Sequence, residues 1–277
     1  PKIYSPKELL QTLTSAVRAE EFSVAHGHSC VIVDARDLRV PMSLPQLPNC
    51  PFIALSPDST FNGANTGSSN FDCSVNEQEL EHVLKGIHDQ PIAASTLCHL
   101  LRQSQNSTIE QALTAESMAY GLLQSSIGFR SWLATRPQST PSTLEPVVVE
   151  ISRDRDDLLI SLNRPEKHNA YNEQMRDELS AALQLAVDDA SIRRVVLRGQ
   201  GASFSAGGDL TEFGSVDDAG IAHIARTTRS PGLLLSQISD RVTVEVQGAC
   251  IGAGIELPAF CAHIHAQEDA YFKLPEV

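Results

Sequence analysis

Apolar and polar positions recur along the chain with two different periods. In the N-terminal half, "SPKELLQTLTSAVRAEEF" (5–22) spaces its apolar residues as a helix does. Two short apolar runs follow, "CVIVDA" (30–35) and "PFIAL" (51–55), and both are predicted strands. The intervening "RVPMSLPQLPNCP" (39–51) is too rich in proline to be regular, and "SPDSTFNGANTGSSNFDCS" (56–74) reads as loop. From "NEQELEHVLKGI" (76–87) onward the pattern becomes helical. Ser107 and Glu110 stand at capping-box spacing. Behind them Ile109, Ala112, Leu113, Met118, Ala119, Leu122 and Leu123 predict an apolar helix face.

The C-terminal half is more clearly punctuated. "VVVEISRDRDDLLISLNRP" (147–165) predicts two strands around a charged turn. Asn172 is a suitable N-cap, and Met175, Leu179, Ala182, Leu183 and Ala186 then mark the buried face of an amphipathic helix. "RRVVLRG" (193–199) and "RVTVEVQG" (241–248) predict strands, with helix in two pieces around Pro231 between them. Strands alternating with helices imply an α/β fold. "RPQSTPSTLEP" (136–146) is a poor helix and a good linker, so the expected organisation is a helix-rich α/β accessory domain over 1–140 and a second α/β domain over 145–277.

Composition adds exclusions. The chain has 277 residues, 42% hydrophobic and 20% charged, as globular proteins have. Its net charge of −13 argues against a nucleic-acid partner. No run approaches the ~20 apolar residues of a membrane span, and residues 1–30 do not read as a signal peptide. Six scattered cysteines without a CxxC pair predict reduced thiols and a cytoplasmic protein. His26 and His28 lack further ligands in register, so no metal is expected. No G-x-G-x-x-G opens a helix in a βαβ setting, which sets aside a nucleotide-dependent dehydrogenase.

The candidate chemistry lies in two glycine turns, "SAGGDL" (205–210) and "GACIGAG" (248–254), each read as following a strand and opening a helix. Such turns expose unpaired N–H groups, and two of them facing each other make an oxyanion hole. Taken singly, each is equally well a simple tight turn. Glu256 is the sole charge in "QGACIGAGIELPAFCA" (247–262). Its apolar neighbours predict partial desolvation, which raises a carboxyl toward the range of a general acid–base. The alternative is a first-turn glutamate offsetting the helix dipole. Glu276, after "FKLP", is a second candidate, or a polar residue at a strand end.

"LNRPEKHNAYN" (162–172), "ASFSAGGDLTEF" (202–213), "VQGACIGAGIELPAFC" (246–261) and "FKLPEV" (272–277) resemble, in order and spacing, the crotonase (enoyl-CoA hydratase/isomerase) superfamily. The resemblance implies a spiral of ββα units over about 147–277, a bound acyl-CoA thioester and assembly as a homo-oligomer, trimer or hexamer. It implies backbone oxyanion donors at Gly208 and Ala253, and catalytic glutamates at Glu256 and Glu276. It places Lys167, His168, Ala170, Ala206, Asp209 and Leu210 along the coenzyme A and substrate site. Coenzyme A then arrives as part of the substrate, and no separate cofactor is implied.

Two glutamates favour hydration of a 2-enoyl thioester. Enoyl isomerisation, thioester hydrolysis, cofactor-free oxygenation and a non-catalytic CoA-binding subunit are the alternatives. Relatives of this kind continue past the second glutamate, so the C-terminal part of the domain is expected to be missing from a chain ending at Val277. "AESMAYGLLQSSIGFRSWLATRP" (115–137) resembles a segment of the superfamily subset that carries an extra N-terminal domain.

Overall fold

The computed structural model describes residues 2–13, 20–38, 44, 46–57, 71–136 and 145–275. The chain divides into two compact units, Pro1–Phe129 and Arg130–Val277. The proline-rich stretch 137–144, read as a linker, lies outside the described residues.

The first unit is built on a four-stranded parallel sheet, ordered β1 (Ile3–Tyr4), β2 (Val31–Asp34), β3 (Phe52–Leu55) and β4 (Cys73–Val75). The apolar runs do not alternate because both faces of the sheet are covered. Val31, Val33 and Phe52 pack with Leu9 and Leu13 of α1 (Pro6–Leu13). Ile32, Ile53 and Leu55 pack with Ile87 of α2 (Glu77–Asp89). Of the long predicted first helix, residues 14–19 lie outside the described residues. Cys73–Val75, its first two residues read as loop, is a strand whose three residues are too few to show a period.

Three helices follow: α3 (Pro91–Ser104), α4 (Ile109–Gln124) and α5 (Ile127–Ala134). The capping box of α4 lies one residue later than predicted, with Thr108 and Gln111 exchanging the bonds. Its predicted apolar face is also corrected. Met118 and Leu122 are exposed, and the buried positions are Ser117 and Gly121, whose small side chains let helix backbones approach closely.

The second unit opens with an antiparallel hairpin, β5 (Val149–Asp154) and β6 (Asp157–Leu162), turning at Arg155 with φ +55°. β6 continues in parallel to β7 (Arg194–Gly199), β8 (Val242–Val246) and, past the short strand β9 (Ala249–Ile251), to β10 (His263–Ala266). A separate parallel pair joins β9 to β11 (Tyr271–Lys273). Asn172 caps α6 (Glu173–Asp188) by accepting from the Met175 N–H at 2.9 Å. The predicted face Met175, Leu179, Ala182, Leu183 and Ala186 is buried against the sheet. α7 (Ala219–Thr228) and α8 (Pro231–Gln237) are the two pieces expected around Pro231.

Candidate active site

Backbone pairing beyond the sheet draws the two glycine turns together. The N–H of Phe204 donates to Gln247 O at 2.8 Å, that of Ser205 to Ala249 O at 3.1 Å, and that of Ile251 back to Ser205 O at 3.0 Å. Gly207, with φ +88°, then lies directly on the neighbouring turn. A β-carbon there would stand 2.8 Å from Ile251 O. Across the same seam, a β-carbon on Gly254 would stand 2.3 Å from Ser205 O. Glycine is required at both places because backbone has replaced side chain as the packing surface.

The pairing also orients the two predicted donors. Tyr171 N–H donates to Gly207 O at 2.7 Å, and Asp209 N–H donates to Tyr171 O at 2.8 Å. Gly208, between them, therefore turns its own N–H away from this pairing, and among the described residues that N–H makes no hydrogen bond. Ala253 is the first residue of the one-turn helix α9 (Ala253–Glu256), entered through Gly252 at φ +50°. Its N–H has no acceptor inside the helix. One expectation is corrected here: "SAGGDL" does not open a helix, since the next helix begins at Ala219. Gly208 thus carries a donor without a helix dipole behind it.

The loop 164–170 is fixed against the first turn from below. Arg164 is fully buried and donates to Glu145 Oε1 from Nε at 3.0 Å and from Nη2 at 2.9 Å. It also donates from Nη2 to Asp209 Oδ2 at 3.0 Å, and from Nη1 to the Ala170 carbonyl. A buried charge needs this density of partners. Asn169, also fully buried, accepts from Arg164 N–H at 2.8 Å and donates to Gln200 O and Ser203 O at 2.9 and 2.8 Å. The Ser205 hydroxyl donates to Asn169 O at 2.8 Å.

Burial would raise Asp209, but the Thr211 hydroxyl and N–H together with Arg164 hold it below the usual carboxylate range. Glu145 is held low by its bonds to Arg164. Sequence reading missed Arg164, Asn169 and Glu145. The available signal was the polar run "NRPEKHN" lying between an apolar strand and an apolar helix, where something must satisfy the buried polar groups.

The expected coenzyme A residues fall in two groups. Ala170, Ala206 and Asp209 lie in the packed seam, where Ala206 N–H donates to His168 O at 2.9 Å. Lys167, His168 and Leu210 are exposed at its rim. Lys167 Nζ reaches Glu145 Oε1 at 3.3 Å, and His168 Nδ1 lies 3.1 Å from the Ser203 hydroxyl.

Glu256 sits at the end of α9, one turn from the Ala253 N–H. The predicted desolvation is corrected, because Glu256 is exposed while its neighbours Gly254 and Leu257 are buried. Apolar neighbours in sequence do not bury a side chain on the outer side of a single helical turn. Glu276 lies outside the described residues. All six cysteines are free thiols, and among the described residues no cluster of His, Cys, Asp or Glu is arranged to hold a metal. No described helix is long and apolar enough to cross a membrane.

Residues 157–277 match the sequence profile of the enoyl-CoA hydratase/isomerase family. This part of the chain belongs to that family, the crotonase superfamily. The chain is 35% identical over 127 residues to the 2,3-dehydroadipyl-CoA hydratase of Escherichia coli (strain K12), covering 46% of this chain and 49% of that protein. It is 32% identical over 147 residues to the mitochondrial enoyl-CoA hydratase of Pongo abelii, covering 52% and 49%. It is 35% identical over 136 residues to the mitochondrial Δ(3,5)-Δ(2,4)-dienoyl-CoA isomerase of Mus musculus, covering 43% and 40%. The chain spans about half the length of the curated relatives it matches. Hydratase and isomerase relatives match the chain at similar identity, so likeness alone does not choose between their reactions.

Proposed function

We propose that the protein adds water to a 2-enoyl-CoA thioester, or removes it in the reverse direction, as a crotonase-type lyase. The observation that carries this reading is the backbone seam that joins the two glycine turns, with Gly207 on Ile251 and Gly254 on Ser205. It supports a pair of N–H donors, Gly208 and Ala253, aimed at one thioester oxygen. As water oxygen bonds to C3, the C2–C3 π electrons shift toward the thioester and negative charge gathers on its oxygen. Two fixed donors stabilise that enolate, and losing one such donor costs ~10²–10³ in rate. One of Glu256 and Glu276 takes the proton from water, and the other supplies a proton to C2. The thioester carbonyl is re-formed as C2 is protonated.

The nucleotide end of coenzyme A would lie along the rim of loop 164–170, where Lys167 and His168 are exposed. Ala170, Ala206, Asp209 and Leu210 complete that side of the site. Double-bond isomerisation needs only one base, so the presence of both Glu256 and Glu276 favours hydration. A homo-oligomer in the cytoplasm, with no nucleic-acid partner, is part of the same proposal.

The test is hydration of crotonyl-CoA, followed as loss of the conjugated thioester absorbance, with Glu256→Gln and Glu276→Gln alongside. Turnover by the wild type with most of the rate lost in both variants is the expected result. Binding without hydration would move the reaction to another member of the family. Failure to bind any acyl-CoA would overturn the oxyanion reading of the glycine turns.

A further inference from the structure

The segment that precedes the family domain supplies one ring, Trp132, to an aromatic pair completed by Phe213 of the Gly208 loop. Phe213 Cε1 and Cζ lie 3.3 and 3.4 Å from the point where a β-carbon on Gly208 would stand, so the ring edge rests against the residue that carries the first donor. The Phe213 ring centroid is 6.1 Å from that of Trp132, with the planes tilted at 51°. Such offset, tilted contacts between aromatic rings are favourable beyond simple burial. Next along the chain, Leu133 packs on Gly214, where a β-carbon would stand 2.5 Å from Leu133 Cδ2. The Arg136 guanidinium stands over the Trp132 ring at 4.8 Å from its centroid.

Both side chains are half-buried. Trp132 belongs to the C-terminal unit, yet lies ahead of the family match, which begins at residue 157. A half-buried aromatic edge against the residue that carries the Gly208 donor suits a flat, conjugated acyl group. The donor takes the carbonyl oxygen while the π system lies along the rings. A saturated, branched acyl group has no such face to offer.

We propose that Trp132, acting through Phe213, is a specificity-determining and positioning residue of the acyl-thioester site, selecting flat, conjugated acyl groups. The inference rests on the reading of Gly208 as a thioester donor. It makes the residues at 130–136 part of the site, although they lie outside the family domain.

The protein offers its own reporter, since Trp132 is its single tryptophan. Crotonyl-CoA and the saturated, branched isobutyryl-CoA are titrated against the whole protein, reading Trp132 fluorescence and, in parallel, heat of binding. The expected result is a saturable fluorescence change with crotonyl-CoA and at least tenfold weaker binding of isobutyryl-CoA. Trp132→Ala should bring the two affinities within about threefold of each other, and Trp132→Phe should restore most of the preference. Saturable heat without any fluorescence change, or a preference unaffected by Trp132→Ala, overturns the aromatic wall and leaves the thioester site standing. Absence of both heat and fluorescence change with either ester overturns the two readings together. Thermal melting of each variant separates loss of the wall from loss of the fold.

Discussion

The Arg164 guanidinium, fully buried, donates from Nη2 to Asp209 Oδ2 at 3.0 Å, and so joins the loop that begins at the end of β6 to the turn that carries Gly208. Glu145, on a third stretch of chain, accepts from the same Nη2 at 2.9 Å. Removing one partner of a buried ion pair strands the other, at a cost of about 3–5 kcal/mol. Arg164→Met is expected to lose stability of that order, while the double variant Arg164→Met/Asp209→Leu recovers part of it. Urea unfolding of the two variants decides the matter. A double variant weaker than the single would mean that the arginine is held chiefly by Glu145.

The same pair sets an acid limit. Asp209 is raised by burial but lowered more by Thr211 and Arg164, so its folded value lies below the unfolded one. Such a group contributes stability in full above the unfolded pKa of about 3.9, and the contribution is lost as pH falls through the folded value. Arg164→Met removes one of the groups that hold Asp209 low. Its acid unfolding is therefore expected at a higher pH than in the wild type. Circular dichroism followed from pH 7 down to pH 2 checks this, and coincident acid transitions would count against it.

Glycine at the seam gives the opposite kind of test. Gly254→Ala puts a methyl 2.3 Å from Ser205 O, a backbone atom that cannot rotate aside. Overpacking of this sort costs about 1–3 kcal/mol. It also pushes the two turns apart, so hydration should fall by ~10²-fold if they share one oxyanion. Gly86, in the middle of α2, has nothing within 4 Å of its would-be β-carbon. Gly86→Ala is expected to gain about 0.5–1 kcal/mol from helix propensity alone and to leave the rate unchanged. Equal effects of the two substitutions on rate would deny the seam its role.

What could be read from the chain, and what could not, follows the range of the forces involved. The hairpin 149–162 and the helix 173–188 were legible because their turn, cap and apolar spacing are local. β4 and β9 were not, since three residues carry no periodicity and exist as strands only through partners 20 or more residues away. The glycine turns announced themselves, but the absence of a helix after Asp209 did not. That stretch is held instead by pairing with Tyr171 and by Arg164. Nothing local in the sequence marks Arg164 for burial. Only the meeting of Glu145, Ala170 and Asp209 around it makes its burial tolerable. Glu256 failed in the other direction, because sequence neighbours do not report which side of a single turn faces water.

Glu212 follows Asp209 by three residues and carries a strain of its own. Burial pushes its carboxyl up, the Glu173 N–H that it accepts at 2.8 Å works against this, and the charges of Asp209 and Glu173 add to the rise. A carboxyl raised on folding favours the folded state when protonated. Its contribution is therefore present below the unfolded pKa of about 4.3 and is lost as pH rises through the folded value. Glu212→Gln keeps an acceptor for Glu173 without the charge. The variant should be more stable than the wild type at pH 7, and the difference should vanish near pH 4. Paired urea titrations at those two pH values read it directly. A variant that is less stable at pH 7 would show that the charge is worth more at the N-terminus of α6 than its burial costs.

The first unit has its own buried pair. Arg102 grips Asp72 with two bonds, Nε to Oδ1 at 2.8 Å and Nη2 to Oδ2 at 2.6 Å, and both side chains are largely buried. Arg102 also donates to Pro48 O at 2.8 Å and Cys50 O at 3.1 Å, while Asp72 Oδ2 accepts from Phe52 N–H at 2.7 Å. One guanidinium thus ties α3 to the chain entering β3 and to the chain entering β4. Arg102→Ala strands Asp72 and two backbone carbonyls, and a loss of about 3–5 kcal/mol is expected. Every partner named lies within residues 1–129, whereas the single tryptophan lies in the second unit. The helical circular dichroism signal should therefore begin to melt earlier in the variant, while the Trp132 fluorescence transition keeps its midpoint. A common shift of both signals would mean that the two units unfold as one, and that stability in the first reaches the site in the second.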